Sequence, residues 1–304
     1  KGEKDLLWPG ETKWVAKSSG TTNSKSKFIP VSPQAIEDTH FKGGKDLLSI
    51  YSNLYEETQI FGGSNLRLGG STYENDRKNN SYYGDVSGII IENLPFWVEM
   101  RSTPNNKISL MNEWEAKIEA IATTSIKEDV ASLAGVPSWM LVLLNRILQK
   151  SGKQNLHEVW PNLELYMHGG VSFGPYKPHF EKLMGRPINY IETYNASEGF
   201  FGIQDQKNSE EMLLMLDYGI FYEFIPMTDF EGTQSKTIGL SEVQVGENYA
   251  LVISSNAGLW RYIIGDTIKF TNTYPFRFKI SGRTKHFINA FGEEVIIENA
   301  ENAL

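Results

Sequence analysis

Residues 188–199 read INYIETYNASEG and place a predicted strand directly before a polar turn. The β-branched and aromatic residues of 188–193 predict the strand, and Tyr194 and Glu198 follow it. Open α/β sheets bind their ligands at the carboxyl ends of strands. A carboxylate there can hold Mg²⁺, and a neighbouring tyrosine offers a flat face to a base. A plain surface loop has the same composition, so this stretch alone leaves both interpretations open.

The sequence pattern changes character around this stretch. Before it, residues 112–125 and 138–150 predict helices. After it, short apolar segments separated by turn residues predict strands. The predicted strands are 211–216, 221–226, 249–254, 267–270 and 276–280. A helix-rich α/β region over 1–199 therefore precedes a β-rich, barrel-like subdomain over 200–304.

Capping signals predict where the helices begin and end. Ser32 and Pro33 suit the cap and the first position of a helix, which the glycines at 43–44 would weaken or break. Ser138 is expected to cap the later helix and Gly152 to end it.

Composition excludes several classes of protein. The 304 residues are 40% hydrophobic and carry a formal net charge of -8, so no basic face is available for nucleic acid or an anionic membrane. There is no cysteine, which excludes disulfides, thiolate metal sites and cysteine nucleophiles. The longest apolar run, residues 139–144, is far below the ~20 residues of a membrane span. We expect a cytoplasmic protein with small-molecule partners.

A loop rich in hydroxyl groups is a second candidate site. Residues Ser18, Ser19, Gly20, Thr21 and Thr22 combine four hydroxyls with a glycine, and such a loop can cradle phosphate oxygens. It is not a Walker A motif, because no second glycine precedes the next lysine. A plain polar turn is the alternative.

A third candidate combines residues 260–266, WRYIIGD, with residues 281–285, SGRTK. If Asp266 lies at a tight turn, its carboxylate can accept both hydroxyls of a ribose, and Arg283 can reach ribose or phosphate oxygens. A β-turn with a surface salt bridge explains the same residues.

The order of these motifs resembles that of the acyl-adenylate-forming enzymes, and within them the acyl acid amido synthetases of the auxin-responsive promoter family. Four intervening segments are similar to that family as well: GVPSWM at 135–140, WPNL at 160–163, HGG at 168–170 and FYEFIP at 221–226. The resemblance extends over nearly all of the chain.

The resemblance implies a reaction in two steps. ATP and a carboxylic acid give an acyl-adenylate and pyrophosphate, and the amine of an amino acid then displaces AMP to form an amide. Members of the family continue into a smaller C-terminal domain, so the chain is expected to be a piece of a longer protein.

The resemblance also implies roles for individual residues. Carried over by motif, they are Ser18, Ser19, Gly20, Thr21 and Thr22 at the β and γ phosphates, Tyr194, Gly169 and Gly170 at adenine, Ser197 at the α phosphate, Glu198 at Mg²⁺, Asp266 at the ribose, and Arg283 at ribose or phosphate. Among these, Ser197, Glu198 and Arg283 are the expected catalytic residues.

Residues near the motifs suggest a pocket for the acid. The candidates are Arg101, Trp139, Met140, Val171 and Phe200. Arg101 is expected to meet the carboxylate of the acid, and core packing is the alternative for the apolar members.

Two other functions remain open from the sequence. Residues 170–174, GVSFG, match the G-x-S-x-G nucleophile elbow of a serine hydrolase with Ser172 as nucleophile, and Asp266 and His286 follow in the expected order. Prolines at 175 and 178 oppose that assignment, because they fall where the helix should already be running. The other alternative is a nucleotide-binding module without catalytic turnover.

Overall fold

A computed structural model describes residues 5–18, 27–76, 81–284, 287–290 and 293–296. The chain divides into two compact units. Unit 1 consists of Lys1–Leu47, Lys78–Ser81 and Asn195–Leu304, and unit 2 of Leu48–Arg77 and Tyr82–Tyr194. The division into domains at residue 199 stays a prediction.

Strands dominate the described residues. In chain order they are β1 Trp14–Ser18, β2 Lys27–Val31, β3 Ser64–Leu68, β4 Thr72–Asp76, β5 Ser81–Gly84, β6 Ser102–Thr103, β7 Val130–Gly135, β8 Leu165–Gly169, β9 Asn189–Ala196, β10 Gly199–Ile203, β11 Met212–Leu214, β12 Ile220–Pro226, β13 Asn248–Ser255, β14 Tyr262–Thr273, β15 Phe276–Arg283, β16 Phe287–Ala290 and β17 Glu293–Ile296.

Helices fill most of the remaining regular structure. They are a π-helical segment Ala35–Phe41, followed by α1 Lys42–Leu54, α2 Val86–Glu92, α3 Phe96–Glu99, α4 Asn106–Ser109, α5 Trp114–Ser125, α6 Pro137–Ser151 and α7 Lys177–Leu183, with 3-10 turns at Ile60–Gly62, Leu156–Glu158, Met227–Asp229, Gly232–Gln234 and Leu240–Glu242. Within the described part of the chain, none of these helices has both the length and the apolar character that crossing a membrane requires.

Unit 2 contains a parallel sheet. Its strand order is β6-β3-β7-β8-β9, and the register pairs Leu66 with Leu133 and Tyr166 with Tyr190. Leu66, Leu133 and Tyr166 are buried in one apolar cluster with residues of α5, α6 and α7. The Tyr166 ring stacks on Phe180 of α7 with the ring centroids 4.7 Å apart. Parallel strands must be joined by crossover connections, which are usually helices. The sequence of unit 2 therefore alternates between strand patterns and helix patterns.

Unit 1 is built mainly from antiparallel strands. Strands β1 and β2 form a hairpin, and the larger sheet runs β12-β13-β14-β15-β11-β10. Its core holds Phe224, Tyr249 and Phe270, whose rings meet edge to face with centroids 5.2 to 6.1 Å apart. The predicted β-rich half is therefore present, although β14 is three times as long as the four residues expected at 267–270.

The first helix is capped as predicted, but it does not break. Ser32 Oγ accepts a hydrogen bond from Ala35 N at 2.9 Å, which confirms the cap. The prediction of a break at Gly43 and Gly44 is wrong, because the helix continues through both glycines to Leu54, and the weakening that glycines cause there stays a prediction. Gly43 is needed for packing: a Cβ at that position would lie 2.7 Å from the ring of Phe200.

Helix α6 begins one residue earlier than predicted. Val136 is its N-cap and Pro137 its first residue, so the expected cap at Ser138 is wrong. Pro137 suits this place because the first helical N–H has no partner within the helix. Gly152 ends the helix in the left-handed conformation, with φ 67°, as predicted.

Candidate functional site

Asp266 and Arg283 form an ion pair across two neighbouring strands of unit 1. They face each other in the register of β14 and β15, and Arg283 Nε donates to Asp266 Oδ1 at 2.9 Å. Thr284 N donates to Gly265 O at 2.8 Å and fixes the same end of the strand pair. The prediction of a tight turn at Asp266 is wrong, because β14 runs through it as a buried strand.

Glu198 joins this pair in unit 1. It lies between β9 and β10, and the strand before it extends through Ala196, so the predicted polar turn is shorter than its sequence suggested. Burial raises the pKa of the Glu198 carboxyl, Lys27 and Arg283 oppose that rise, and Asp266 adds to it. Three residues far apart in the sequence therefore share one electrostatic environment.

The β1–β2 hairpin brings a second cation to Glu198. Ser18, the last residue of β1, is paired in register with Lys27 of β2. Lys27 Nζ lies 5.5 Å from the centroid of the Tyr262 ring. Burial raises the pKa of Tyr262, and the charge of Glu198 raises it further. Sequence reasoning missed Lys27 and Tyr262, although Tyr262 lies inside the quoted WRYIIGD motif.

The described part of the hydroxyl loop is limited to Ser18. The other predicted phosphate-binding residues, Ser19, Gly20, Thr21 and Thr22, lie outside the described residues. Ser18 and Lys27 flank the segment that contains them.

The predicted adenine-binding residues lie together at the carboxyl ends of two strands of unit 2. Gly169 of β8 is paired with Thr193 of β9, the residue before Tyr194. A Cβ on Gly169 would lie 2.3 Å from Thr193 O, so this approach requires glycine. Gly170 adopts φ 83°, which favours glycine as well. Tyr194 is buried.

The predicted acyl-binding residues of unit 2 differ in their surroundings. Arg101 is exposed, and its Nη1 donates to Phe61 O at 3.1 Å. Met140 is fully buried in the core cluster, and Trp139 packs against that cluster and meets Trp114 in an edge-to-face arrangement. These contacts fit core packing for Met140 and Trp139. Val171, in the loop after β8, is partly exposed.

Phe200 belongs to unit 1 and is buried. Its ring lies against Gly43 of α1 and meets Tyr218 edge to face at 5.9 Å. Core packing accounts for both contacts.

The nucleophile-elbow interpretation of Ser172 gains no support. A nucleophile elbow is a sharp turn directly between a strand and a helix. Here β8 ends at Gly169 and α7 begins at Lys177, so Ser172 lies in an exposed connection. His286, the expected base, lies outside the described residues.

The charged groups around Glu198 fit a metal that arrives with a phosphate ligand. Among the described residues, no group of three histidine or carboxylate side chains is arranged to hold an ion by itself. Mg²⁺ is commonly held by one or two carboxylates together with phosphate oxygens and water. A buried carboxylate with a raised pKa would gain from such a cation, and Lys27 and Arg283 suit the phosphates.

Two plant enzymes are similar in sequence. The indole-3-acetic acid-amido synthetase GH3.3 of Arabidopsis thaliana is 30% identical over 165 residues, which cover 51% of this chain and 27% of that enzyme. The jasmonoyl-L-amino acid synthetase JAR4 of Nicotiana attenuata is 26% identical, with 84% of this chain and 54% of that enzyme covered. The chain thus spans about half the length of these relatives or less.

A solved structure shares the fold. The GH3.15 acyl acid amido synthetase in complex with 2,4-DB superposes with a TM-score of 0.75 at 16% identity, covering 95% of this chain and 59% of that one. The predicted α/β fold, that of the large N-terminal domain of an adenylate-forming enzyme, is confirmed.

Family comparison covers both halves of the chain. The GH3 family N-terminal domain matches residues 1–188, and the GH3 family central domain matches residues 213–283. The resemblance inferred from the order of the motifs is confirmed, and the chain belongs to the GH3 family.

Proposed function

We propose that this chain binds ATP with Mg²⁺ and adenylates a carboxylic acid, as the first half of an amide-forming reaction with an amino acid. The observation that carries the proposal is the convergence of Glu198, Asp266 and Arg283 in unit 1. Family membership supports the same chemistry, since the similar plant enzymes are named as amido synthetases.

In the first step, a carboxylate oxygen of the acid attacks the α phosphorus of ATP, and pyrophosphate leaves with its bonding electrons. Ser197 would lie at the α phosphate. The Asp266 carboxylate would accept hydrogen bonds from the ribose hydroxyls. Arg283 would hold the Asp266 carboxylate in place, and the remaining N–H groups of Arg283 would face ribose or phosphate oxygens. Ser18, Ser19, Gly20, Thr21 and Thr22 would bind the β and γ phosphates.

Glu198 is the residue proposed to hold Mg²⁺. The metal supplies charge stabilisation for the departing pyrophosphate. Because the Glu198 carboxylate is buried and raised in pKa, it is poorly solvated when ionised. A cation beside it would therefore favour its ionised form.

Adenine is proposed to lie at Tyr194 with the Gly169 and Gly170 backbone beside it. Arg101, Trp139, Met140, Val171 and Phe200 remain the candidates for the acyl pocket. In the second step, the amine nitrogen of the acceptor attacks the acyl carbon, AMP leaves, and the ammonium proton passes to solvent. A cytoplasmic location stays part of this proposal.

Carboxylate-dependent exchange of labelled pyrophosphate into ATP tests the function. The acids to supply are indole-3-acetic acid, jasmonic acid, 2,4-DB and benzoic acid, each with ATP and Mg²⁺. An adenylating protein exchanges label only when an accepted acid is present. ATP binding without exchange for any acid would identify a nucleotide-binding module, and labelling of Ser172 by a fluorophosphonate would favour a hydrolase.

A further inference from the structure

Arg67 is a buried arginine in the parallel sheet of unit 2 with most of its guanidinium unpaired. It lies on β3, and Nη2 donates to Asn106 Oδ1 at 2.5 Å. Nε and Nη1 are buried and have no hydrogen-bond partner. A guanidinium carries five N–H donors, of which Nε has one and Nη1 has two, so three donors lack an acceptor.

Charge compensation is missing as well. In the described part of the chain, Arg67 forms no ion pair, and Glu99 acts on it only as a more distant charge. Burial lowers the pKa of Arg67 to about 10, and Glu99 opposes that shift. Arg277 provides the contrast, because its Nη2 lies 2.7 Å from Asp205 Oδ2. Buried charges are normally paired. The unpaired positive charge of Arg67 would therefore be stabilised by a bound anion.

The neighbours of Arg67 indicate what kind of anion fits. Side chains alternate along a strand, and Leu66 and Leu68 point into the core cluster, so Arg67 points to the other face of the sheet. The register places Ala134 of β7 beside it and Met167 of β8 next in the same row. The row of residues on this face of the sheet thus holds a small apolar residue and a flexible one next to Arg67, which suits an organic anion better than inorganic phosphate.

We propose that Arg67 binds a carboxylate group of a small organic acid. A carboxylate offers two oxygens to the fork of N–H donors, which is the strongest geometry for such a pair. The inference rests on the proposed function only in identifying this acid with the one that is adenylated. Arg101, the arginine expected from the sequence to meet the acid, is exposed, whereas Arg67 offers its donors in a desolvated setting.

Titration calorimetry with benzoate on the whole chain tests the proposal, with benzamide as the neutral isostere and inorganic phosphate as the competing anion. The variants are Arg67→Met and Arg67→Lys, and Arg186→Met, at an exposed arginine of the same unit, is the control. We expect the wild type to bind benzoate and not benzamide. Both Arg67 variants should lose at least about tenfold in affinity, the scale for removing a charge-assisted hydrogen bond. Arg186→Met should bind benzoate like the wild type.

Thermal unfolding separates this role from a structural one. Without ligand, Arg67→Met should keep or raise the melting temperature, because it removes an unpaired buried charge. With benzoate, only proteins that retain Arg67 should gain stability. The proposal is overturned if the wild type fails to bind benzoate, if it binds phosphate in preference, or if Arg67→Lys keeps the wild-type affinity.

The same experiments distinguish this inference from the adenylation chemistry. If benzoate binding depends on Arg67 while no acid supports pyrophosphate exchange, the carboxylate site stands and the proposed function falls. If exchange proceeds with unchanged acid dependence in Arg67→Lys, the identification of the acid at Arg67 with the adenylated acid falls and the proposed function stands.

Discussion

Arg283 Nε lies 2.9 Å from Asp266 Oδ1, and both residues are held in register by adjacent strands. A second aspartate–arginine pair, Asp205 with Arg277, has the shorter separation of 2.7 Å and involves the same strand, β15. Only the first pair shares its surroundings with Glu198. Substituting Asp205 is therefore a matched control for substituting Asp266, because it removes a similar ion pair on the same strand without changing the surroundings of Glu198.

Substituting Glu198 tests the metal role. Glu198→Gln should abolish Mg²⁺-dependent acyl-adenylate formation while preserving or raising the melting temperature at pH 7. The stability expectation follows from the sign of the shift: a carboxyl whose pKa is raised on folding loses stability as pH rises through that pKa, and glutamine removes that loss. Glu119→Gln, on the exposed part of α5, serves as control and should adenylate normally. An unchanged adenylation rate in Glu198→Gln would count against the metal role.

Lys27 should tune the ionisation of Glu198. Its positive charge lowers the pKa of the Glu198 carboxyl, so Lys27→Met should shift that pKa upward. Ionised Glu198 would then be populated only at higher pH, and the pH profile of Mg²⁺-dependent ATP binding should move to higher pH. A profile that stays in place would place Lys27 outside the electrostatic environment of Glu198.

The two adjacent glycines of α1 should respond oppositely to alanine. Gly44→Ala should stabilise by about 0.5–1 kcal/mol, because the position is exposed with open space around it and alanine restricts the unfolded chain. Gly43→Ala should destabilise by about 1–3 kcal/mol, because its Cβ would enter the ring of Phe200. Chemical denaturation measures both. Similar effects at the two sites would contradict the packing of α1 on Phe200.

Two buried histidines should make the protein sensitive to acid. Burial lowers the pKa of His40 to about 4, against an opposing hydrogen bond with Asn195, and lowers the pKa of His168 to about 3. Histidine in the unfolded chain titrates near pH 6.5. Below that pH the unfolded chain therefore binds protons that the native chain does not bind.

Stability should therefore fall as pH drops from about 6.5 toward 4, by an amount on the order of a few kcal/mol for each histidine. Melting temperatures at half-unit pH intervals measure the slope. His168→Phe should flatten it while keeping a ring against Phe173, whose centroid lies 3.9 Å from that of His168. A wild-type melting temperature that stays constant from pH 7 to pH 5 would refute this account.

Local signals in the sequence predicted the ends of helices correctly where a single residue, through its own side chain or backbone conformation, begins or ends the helix. Ser32 caps its helix through a single side-chain oxygen, and Gly152 ends α6 through a backbone conformation that few other residues adopt. Gly43 shows the limit of such signals. A glycine in a helix predicts weakness, but here the missing side chain makes room for Phe200, more than 150 residues later.

The candidate site was only partly predictable for a related reason. The motif order singled out Glu198, Asp266 and Arg283 as candidates, because each lies in a short run of residues with a distinctive composition. Lys27 reaches the site only through the register of β1 and β2, and no local pattern records that pairing. Strand β7 was missed because its six residues, VASLAG, form a short apolar run without alternation, as buried parallel strands do.

Binding of Mg²⁺-ATP to Asp266→Asn, measured by titration calorimetry beside Asp205→Asn, tests the central claim most directly. We expect Asp266→Asn to weaken ATP binding by about 1.5–3 kcal/mol, the scale for losing hydrogen bonds to a charged group. Asp205→Asn should lower stability and leave the affinity for ATP at the wild-type value. Equal affinities of the wild type and Asp266→Asn would contradict a nucleotide site at Asp266 and Arg283.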